Sequence, residues 1–405
     1  MHMPLNIVAL SPNAWNGQWV NRQQLLSRIG TEHSIIYSHG NWSIWERESA
    51  EFQQAPLLGS FNRQDNVFVD VPPRLTPRWT RLPAWDDAVM AQAARRWRRH
   101  LARSGGARPL VAYLCHPMFL PYVRHLRPDH IVYHCYDLFE QQPGWTAEFE
   151  RAERELLRHA DLVFSPTQML CNKLMDKAPC QARELLNAAD VQAIFAAAQA
   201  QVDIPADLAR IASPRLGYLG SIHPQLDFPL LDGLAQRRPE MNFVLIGPEQ
   251  NTPVLHADAG YLACKSRPNI HFLGARHRSE IPAYLLHMDA NLMLYRLTAD
   301  SWTHVAYPLK LHEYLACGKP VVSVPLAPIM EFAPVIRFAQ GFDDWERALV
   351  SALAEDNPQQ CAQRRELAAQ HSWERRAQTL DGWLQQLPQL RALRLARAAA
   401  QIDRK

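Results

Sequence analysis

The sequence predicts an α/β protein of two doubly wound domains, in which parallel sheets are flanked by helices. Three observations support this prediction. The chain has 405 residues, enough for two domains of ordinary size. Short apolar runs rich in β-branched residues alternate with stretches of helical periodicity in both halves. Finally, residues 307–325 have the pattern of a helix that ends abruptly before a buried strand.

The first domain is expected to span residues 1–186. It begins with a strand–helix–strand pattern, which favours a parallel sheet. Its strands are predicted where short apolar runs end at turn residues, at 6–10, 34–37, 67–71, 110–114, 131–136 and 162–164. Helical periodicity lies at 20–29, 88–102 and 147–159.

The second domain is expected over residues 187–372, where strand and helix patterns again alternate. The final segment, 373–405, is strongly helical. Within the second domain, Pro308 suits the first position of a helix, Gly318 suits its C-terminal cap, and Pro320 prevents continuation. A short β-branched strand is predicted to follow at 321–324.

The beginning of this helix is predicted to lack a side-chain cap. Tyr307 stands at the N-cap position, where its phenol cannot accept from the first free N–H groups. A bound anion would satisfy those groups and use the positive end of the helix dipole. Lys310 and Glu313 lie one turn apart. The lysine suits a diphosphate, and the glutamate suits a pair of ribose hydroxyls. An ordinary amphipathic helix with one ion pair is the alternative.

This segment resembles the nucleotide-binding signature of glycosyltransferases with the GT-B fold, Pro-x-Lys-x-x-Glu-Tyr-Leu-Ala-x-Gly-Lys-Pro-Val-Val. The similarity is to the family 1/4-like enzymes of bacterial surface polysaccharide synthesis. Further stretches resemble the entry segment, the strands and a helix of the same donor domain, at 187–190, 215–222, 243–248, 269–274 and 281–285. Ala188 replaces the glycine usual in the first of these.

The resemblance implies a GT-B architecture, two Rossmann-like doubly wound domains facing a central cleft. Residues 1–186 would bind the acceptor, and residues 187–372 would bind the sugar nucleotide. Residues 373–405 would form a helix that crosses back to the N-terminal domain. The donor-binding residues would then be Gly220, Ser221, Arg276, Arg296, Tyr307, Lys310 and Glu313.

The donor residues outside the helix each have a simpler alternative. Gly220 and Ser221 follow the first donor-domain strand, where ligands of doubly wound sheets bind and small residues let the backbone approach a diphosphate. A plain tight turn is the alternative. Arg276 and Arg296 follow other strands and would add positive charge, but each is otherwise an ordinary surface arginine.

Asp137 is the candidate catalytic base, because a carboxylate that removes the proton of a sugar hydroxyl accelerates transfer. It ends the strand predicted at 131–136 and resembles the first acid of a Tyr-Asp-x-x-Asp segment, although the second acid, Glu140, comes one residue late. A loop aspartate that caps the next helix is the alternative. His116 and His134 are secondary candidates, although a lone histidine is more often structural.

The stretch at 11–23 combines tryptophans with amide side chains, a composition that suits a sugar surface. The expected acceptor-side residues are Trp15, Asn16, Trp19, Arg22 and His116. Hydrophobic packing over the core is the alternative for the tryptophans.

Several motifs are absent from the sequence. Without Gly-x-Gly-x-x-Gly or a Gly-Lys-Ser/Thr loop, dinucleotide oxidoreductases and kinases are unlikely candidates. Without Asp-x-Asp, a metal-independent enzyme with no cofactor is expected, in which dipoles and basic side chains carry the phosphate charge. Glu313 fits the second acid of the Glu-x7-Glu pair of retaining enzymes, but Val305 stands eight residues before it. An inverting reaction is therefore somewhat favoured.

The composition restricts partners and location. A net charge of +3 argues against nucleic acid. Seven cysteines without a Cys-x-x-Cys pair indicate reduced thiols and a cytoplasmic protein. No secretory signal or membrane-spanning stretch is visible. The basic run at 95–99, with Arg103 and Arg108, suits a peripheral contact with the inner face of the membrane, or else a solvated helix face.

These patterns together favour a metal-independent hexosyltransferase. It would move a sugar from a nucleotide-sugar donor, expected to be UDP-linked, to a glycan or lipid-linked acceptor in surface or exopolysaccharide synthesis. A UDP-sugar 2-epimerase on the same fold and a non-catalytic nucleotide-sugar-binding subunit of a polysaccharide synthase are the alternatives. The sequence does not identify the sugar or the nucleobase of the donor, the acceptor, or the linkage that is formed.

Overall fold

The computed structural model describes residues 2–17, 19–142, 144–297 and 307–402. The chain folds into two compact units. The first comprises Met1–Leu186 and Arg376–Lys405, and the second comprises Asn187–Arg375. Among the helices in these ranges, none is both long enough and apolar enough to cross a bilayer.

The first unit contains an eight-stranded sheet in the order β3-β4-β2-β1-β5-β6-β7-β8. Its strands are β1 Asn6–Leu10, β2 Ser34–Ser38, β3 Ser60–Gln64, β4 Val67–Val71, β5 Leu110–Leu114, β6 His130–His134, β7 Leu162–Ser165 and β8 Ala182–Glu184. All pairings are parallel except the β3–β4 hairpin at one edge. Strand β1 is buried along its whole length, as expected of a central parallel strand covered on both faces.

Six helices of this unit follow or precede these strands. They are α1 Asn21–Ile29, α2 Ala50–Gln54, α3 Pro83–Ser104, α4 Leu120–Leu126, α5 Ala147–His159 and α6 Gln168–Lys177. Short 3-10 turns lie at Ile44–Glu46, Pro117–Phe119 and Phe139–Gln141.

The second unit contains a six-stranded, all-parallel sheet in the order β11-β10-β9-β12-β13-β14. Its strands are β9 Arg215–Leu219, β10 Asn242–Ile246, β11 Ile270–Gly274, β12 Ala290–Met293, β13 Val321–Ser323 and β14 Arg337–Phe338. Its helices are α7 Val191–Gln199, α8 Phe228–Arg237, α9 Pro253–His256, α10 Ala259–Ser266, α11 Ile281–Leu286, α12 Lys310–Cys317, α13 Phe342–Ala354 and α14 Pro358–Gln370. The predicted α/β class with two Rossmann-like sheets is confirmed.

The last two helices are α15 Trp373–Gln385 and α16 Leu387–Ile402. Their side chains bond to loops of the first sheet. Asp381 of α15 accepts from His33 Nε2 at 2.9 Å, and Arg394 of α16 pairs with Asp161 at 3.0 Å. These contacts explain why residues 376–405 group with the first unit.

Three neighbouring strands of the second sheet end in glycines whose backbones are in close contact. Gly220 N–H donates to Ile246 at 2.9 Å, and Gly247 N–H donates to Gly274 at 3.0 Å. Gly247 has a φ of +151°, and a Cβ there would lie 2.0 Å from the carbonyl oxygen of Gly220. This edge of the sheet therefore presents backbone rather than side chains.

The close approach can be tested by replacing Gly247 with alanine. Gly247→Ala should lower the free energy of unfolding more than Gly341→Ala, by at least about 1 kcal/mol, the lower end of the cost of overpacking. Both glycines have positive φ, but a Cβ at Gly341 meets no atom within 4 Å. Urea unfolding followed by circular dichroism measures the difference, and equal losses would contradict the proposed contact.

Candidate functional site

The strand order of the second sheet reverses between β9 and β12. From β9 the chain proceeds outwards to β10 and β11, and then returns to β12 on the other side of β9. Ligands of doubly wound sheets bind at such a reversal, beside the carboxyl ends of the strands. Gly220 and Ser221 directly follow β9, and α12 connects β12 to β13.

Helix α12 begins at Lys310, two residues later than predicted. The prediction of Tyr307 as the N-cap is wrong, because its carbonyl accepts from Asn187 Nδ2 at 2.8 Å. Pro308 belongs to a preceding turn, in which its carbonyl accepts from Leu311 N–H at 3.2 Å. Leu309 occupies the N-cap, and no side chain of the described residues caps this end of the helix. Within those residues, the prediction of a helix start without a side-chain cap agrees with the structure.

Tyr307 packs inside the second unit. Its ring is 4% exposed, and its hydroxyl lies 2.7 Å from Nε2 of the buried His312. The side chain is thus engaged within the protein, and its predicted contact with the donor stays a prediction.

The ammonium group of Lys310 lies over aromatic rings. Nζ is 3.8 Å from the ring centroid of Tyr218 and 5.3 Å from that of Tyr295. Among the described residues, Nζ has neither a hydrogen-bond acceptor nor an ion-pair partner within reach. The Lys310 side chain is partly exposed. Burial lowers the pKa of Lys310 to about 7. A Cβ at Gly220 would lie 2.8 Å from Nζ, so the glycine makes room for the amine.

Glu313 lies on the next turn of α12 and is also partly exposed. Its carboxylate makes no ion pair with Lys310 within 4 Å and no hydrogen bond within the described part of the chain. Burial raises its pKa to about 7, although the charge of Lys310 acts in the opposite direction. Both groups are held by the fold and remain available to a ligand.

The Tyr314 hydroxyl holds α12 against the end of β9, and the Tyr218 hydroxyl holds the turn that follows this strand. Leu219 N–H donates to the hydroxyl of Tyr314 at 2.8 Å, and Tyr218 donates to the carbonyl of Ser221 at 2.9 Å. The structure thus brings together Gly220, Ser221, Lys310 and Glu313. Sequence reasoning missed Tyr218 and Tyr295, although both stand at strand ends where side chains meet a ligand site.

Arg276 and Arg296 are neutralised by nearby carboxylates. Arg276 pairs with Asp207 at 2.5 Å and donates to the hydroxyl of Tyr284 at 2.7 Å. Arg296 pairs with Asp258 at 2.8 Å. A donor would have to compete with these acids for either guanidinium. Neither arginine therefore offers an unpaired positive charge that would support its predicted role in donor binding.

In the first unit the strand order reverses between β1 and β5. The segment after β1 and His116 after β5 therefore lie at the same edge of this sheet. Arg22, near the start of α1, is only 3% exposed. Its guanidinium lies 3.6 Å above the ring centroid of Tyr136, and Nη2 donates to Asn13 at 2.7 Å. No carboxylate in the described ranges pairs with it, and its buried Nε lacks a partner.

Asp137 follows β6 and is partly buried. One carboxylate oxygen accepts from Leu138 N–H and the other from Gln142 Nε2, each at 2.7 Å. Burial raises the pKa of Asp137, while these hydrogen bonds and the charge of Arg22 act in the opposite direction. A carboxylate with a raised pKa is a better proton acceptor than an ordinary one.

His116 is a neutral imidazole at neutral pH, because burial lowers its pKa to about 4. Nδ1 accepts from Met118 N–H at 3.1 Å, so the ring proton is on Nε2. The ring packs against Phe139, with centroids 4.7 Å apart. His134, the other secondary candidate, is buried and bonds to the hydroxyl of Tyr113 at 2.7 Å, as expected of a structural histidine.

The two tryptophans after β1 differ in exposure. Trp15 is 2% exposed and packs edge-on against Tyr37, with centroids 4.9 Å apart. Its indole donates to Asp65 at 3.3 Å, which agrees with the alternative of core packing. Trp19 is half-buried with its ring 5.6 Å from that of Trp15, and Asn16 is exposed. Of these three residues, Trp19 and Asn16 have solvent-exposed surface, and their contact with an acceptor stays a prediction.

One cluster among the described residues has metal-ligand spacing: His2, His33 and Asp381. His33 Nδ1 accepts from Leu5 N–H at 3.1 Å, so Nε2 carries the proton and donates to Asp381. A protonated nitrogen cannot bind a metal ion. The cluster is therefore a hydrogen-bonded connection between α15 and the segments that precede β1 and β2.

Comparisons with known proteins show which family and which fold the chain resembles. Residues 213–355 match the family model of glycosyl transferases group 1, a range that includes Gly220 and α12. The chain resembles glycosyltransferases of the GT-B fold. The putative teichuronic acid biosynthesis glycosyltransferase TuaH of Bacillus subtilis (strain 168) is 27% identical over 226 residues. This alignment covers 53% of the chain and 55% of the relative, so the two match over only about half their lengths.

Solved structures extend the similarity to nearly the whole chain. Alr3699/HepE of Anabaena, in complex with UDP and glucose, has a TM-score of 0.62 at 16% identity, covering 95% of this chain and 99% of that one. A UDP-forming α,α-trehalose-phosphate synthase from Burkholderia vietnamiensis has a TM-score of 0.63 at 14% identity, covering 97% and 100%. At such identities the likeness establishes the fold, and the predicted GT-B resemblance is confirmed.

The titration of Lys310 can be observed directly. The chain has only six lysines, so reductive methylation with ¹³C, which keeps the charge, yields few resonances. The Lys310 signal should titrate at about pH 7, whereas that of Lys177, whose pKa is raised by neighbouring glutamates, should not titrate below pH 10. A Lys310→Arg variant assigns the signal. Titration of Lys310 near its ordinary value of 10.5 would contradict the buried environment.

Proposed function

We propose that the chain is a glycosyltransferase whose second unit binds a nucleotide-sugar donor, with UDP as its nucleotide. The observation that carries this proposal is the start of α12. The ammonium group of Lys310 and the carboxylate of Glu313, which form no ion pair or side-chain hydrogen bond with the described residues, stand there at the strand reversal of a domain that matches the group 1 family. The HepE structure with UDP and glucose supports the choice of uracil as the nucleobase of the donor.

The donor site would hold the diphosphate at the uncapped start of α12. Backbone N–H groups, the helix dipole and the ammonium of Lys310 supply positive charge there. The glycine-lined strand ends allow the backbone at Gly220 and Ser221 to approach the phosphates. The Glu313 carboxylate would accept hydrogen bonds from the ribose hydroxyls. This arrangement provides charge stabilisation without a metal ion, so we propose a metal-independent hexosyltransferase.

The first unit would supply the general base. Asp137 would take the proton of the acceptor hydroxyl while its oxygen attacks the anomeric carbon and the nucleoside diphosphate leaves. Arg22 would act as a positioning residue that favours the charged form of Asp137. We propose inversion at the anomeric carbon. The first acid of the Glu-x7-Glu pair of retaining enzymes would stand eight positions before Glu313, where this chain has Val305. Val305 lies outside the described residues.

The acceptor is proposed to be a glycan or lipid-linked intermediate of surface polysaccharide synthesis. Support comes from the name of the TuaH relative, a putative teichuronic acid biosynthesis enzyme, and from exposed Asn16 and half-buried Trp19. We place the reaction in the cytoplasm, with peripheral contact at the inner face of the membrane. The epimerase and the non-catalytic subunit are not favoured, because the matched family and the TuaH relative are described as glycosyltransferases.

The diphosphate role of Lys310 is tested by calorimetry with UDP and uridine. Lys310→Ala should weaken UDP binding roughly 10–150-fold, the equivalent of about 1.5–3 kcal/mol for a charge-assisted contact. Uridine lacks phosphate, and its affinity should stay within about twofold of wild type, well below this range. Lys319→Ala, which removes a lysine just beyond the other end of α12, is the matched control. Equal loss for UDP and uridine would rule out a phosphate contact.

The role of Asp137 is tested by transfer of radiolabelled sugar from a UDP-sugar to a membrane extract. Asp137→Asn should lower the rate roughly 10²–10⁴-fold while UDP affinity is unchanged. The base must be ionised to accept a proton, so its raised pKa places the acid limb of the rate profile above that of an ordinary aspartate. Arg22→Gln should shift that limb to still higher pH, since an opposing positive charge is lost. Full activity of Asp137→Asn would refute the assignment.

A further inference from the structure

A surface cavity of about 410 Å³ lies between α3 and α4 of the first unit. We call it the arginine pocket. Its polar lining consists of five arginines and one histidine: Arg95, Arg98, Arg99, Arg124, Arg127 and His125. A cavity of this size is within the range of small-ligand sites.

Positive charge in the arginine pocket is poorly compensated. Asp87 bonds to both Arg124 and His125 and is the only acid paired with the lining among the described residues. Arg98 donates to the carbonyl of Leu126 at 3.2 Å. The remaining lining arginines, Arg95, Arg99 and Arg127, have no carboxylate within 4 Å in the described ranges.

The end of α4 accounts for only part of this lining. Cations at a helix C-terminus are stabilised by the dipole, which explains Arg98 and Arg124. It does not explain Arg95 and Arg99, which belong to the middle of α3. Arg95, Arg98 and Arg99 have i, i+3 and i, i+4 spacing, and like charges at this spacing destabilise a helix by about 0.2–0.5 kcal/mol per pair.

Backbone strain is a second, independent feature of the same pocket. Arg127 caps α4 in the left-handed conformation, with φ of +46°. Glycine or asparagine is favoured at this position, and a bulky side chain costs about 1–2 kcal/mol there. Like-charge repulsion on α3 and strain at the end of α4 thus occur around a single concave surface. Such local costs are typical of ligand sites.

We propose that the arginine pocket is a second anion site that binds a phosphate-bearing ligand, a phosphomonoester, phosphodiester or diphosphate. The planar guanidinium fork matches phosphate oxygens in bidentate fashion. Arginines that converge from two helices suit a phosphate group, which offers three or more acceptor oxygens where a carboxylate offers two. The phosphate group belongs either to a soluble ester or to the headgroup of an anionic lipid.

The test compares two double variants of the full chain. Arg95→Gln/Arg99→Gln removes two lining charges, and Arg151→Gln/Arg158→Gln removes two exposed charges from α5 of the same unit. The change in net charge is therefore identical. Circular dichroism and the unfolding midpoint establish that each variant is folded.

Two probes separate the sources of phosphate. Inorganic pyrophosphate is titrated by calorimetry in the presence of saturating UDP, which occupies the proposed donor site. Vesicles of phosphatidylglycerol and phosphatidylcholine, and of phosphatidylcholine alone, are used in sedimentation. Binding of pyrophosphate indicates a soluble ester, and binding of only the anionic vesicles indicates a lipid headgroup.

For whichever probe binds, the pocket variant should lose roughly tenfold or more in affinity, as expected for lost charge-assisted contacts. The α5 variant should stay within about twofold, the effect expected of net charge alone. Equal losses in the two variants would show that only overall charge matters and would overturn the proposal. So would failure of the wild-type protein to bind either probe. Neither readout involves sugar transfer, so the result is independent of the proposed enzymatic activity.

Discussion

The donor site depends on an ammonium group that lies over two tyrosine rings and forms no ion pair with a carboxylate of the described residues. Desolvation makes the charged form of Lys310 costly, and the nearest aromatic faces compensate only partly. A diphosphate would supply the missing partner. Gly220 leaves room for the amine, because a Cβ at this position would lie 2.8 Å from Lys310 Nζ.

The first unit also contains a buried positive charge, and there it acts on a neighbouring carboxylate. Arg22 is a buried charge that stacks on Tyr136 and bonds to an asparagine, yet it pairs with no acid in the described structure. Its field acts on Asp137, where burial raises the carboxyl pKa and the guanidinium opposes that rise. Together these effects hold a carboxylate that accepts protons more readily than an ordinary aspartate.

Much of the fold could be predicted from local sequence, because turn and cap residues have strong backbone preferences. Gly318 ends α12 in the left-handed conformation, with φ of +75°, and β13 follows at Val321–Ser323 as its β-branched residues indicate. The sequence predicts the start of α12 two residues too early, because the carbonyl of Tyr307 accepts a hydrogen bond from Asn187, which is distant in sequence. Hydrogen bonds between residues so far apart in sequence cannot be recognised from a local sequence pattern.

The site itself was only partly predictable for the same reason. The spacing of Lys310 and Glu313 indicates their role, but the aromatic rings beneath the amine come from β9 and from the segment after β12. Arg276 and Arg296 looked available in sequence, yet their acidic partners lie 69 and 38 positions away. The arginine pocket is likewise assembled from two helices separated by a strand, so the basic run at 95–99 alone did not reveal a cavity.

The most direct test of the central claim is the number of protons taken up when UDP binds at pH 8. Calorimetry in buffers of different ionisation enthalpy measures it. With a pKa of about 7, the Lys310 amine is mostly neutral at pH 8 and must be protonated to hold the diphosphate, so uptake of about 0.9 proton is expected. Lys310→Arg, which is always charged, should take up none. Binding of UDP to the wild-type protein without proton uptake would contradict the account.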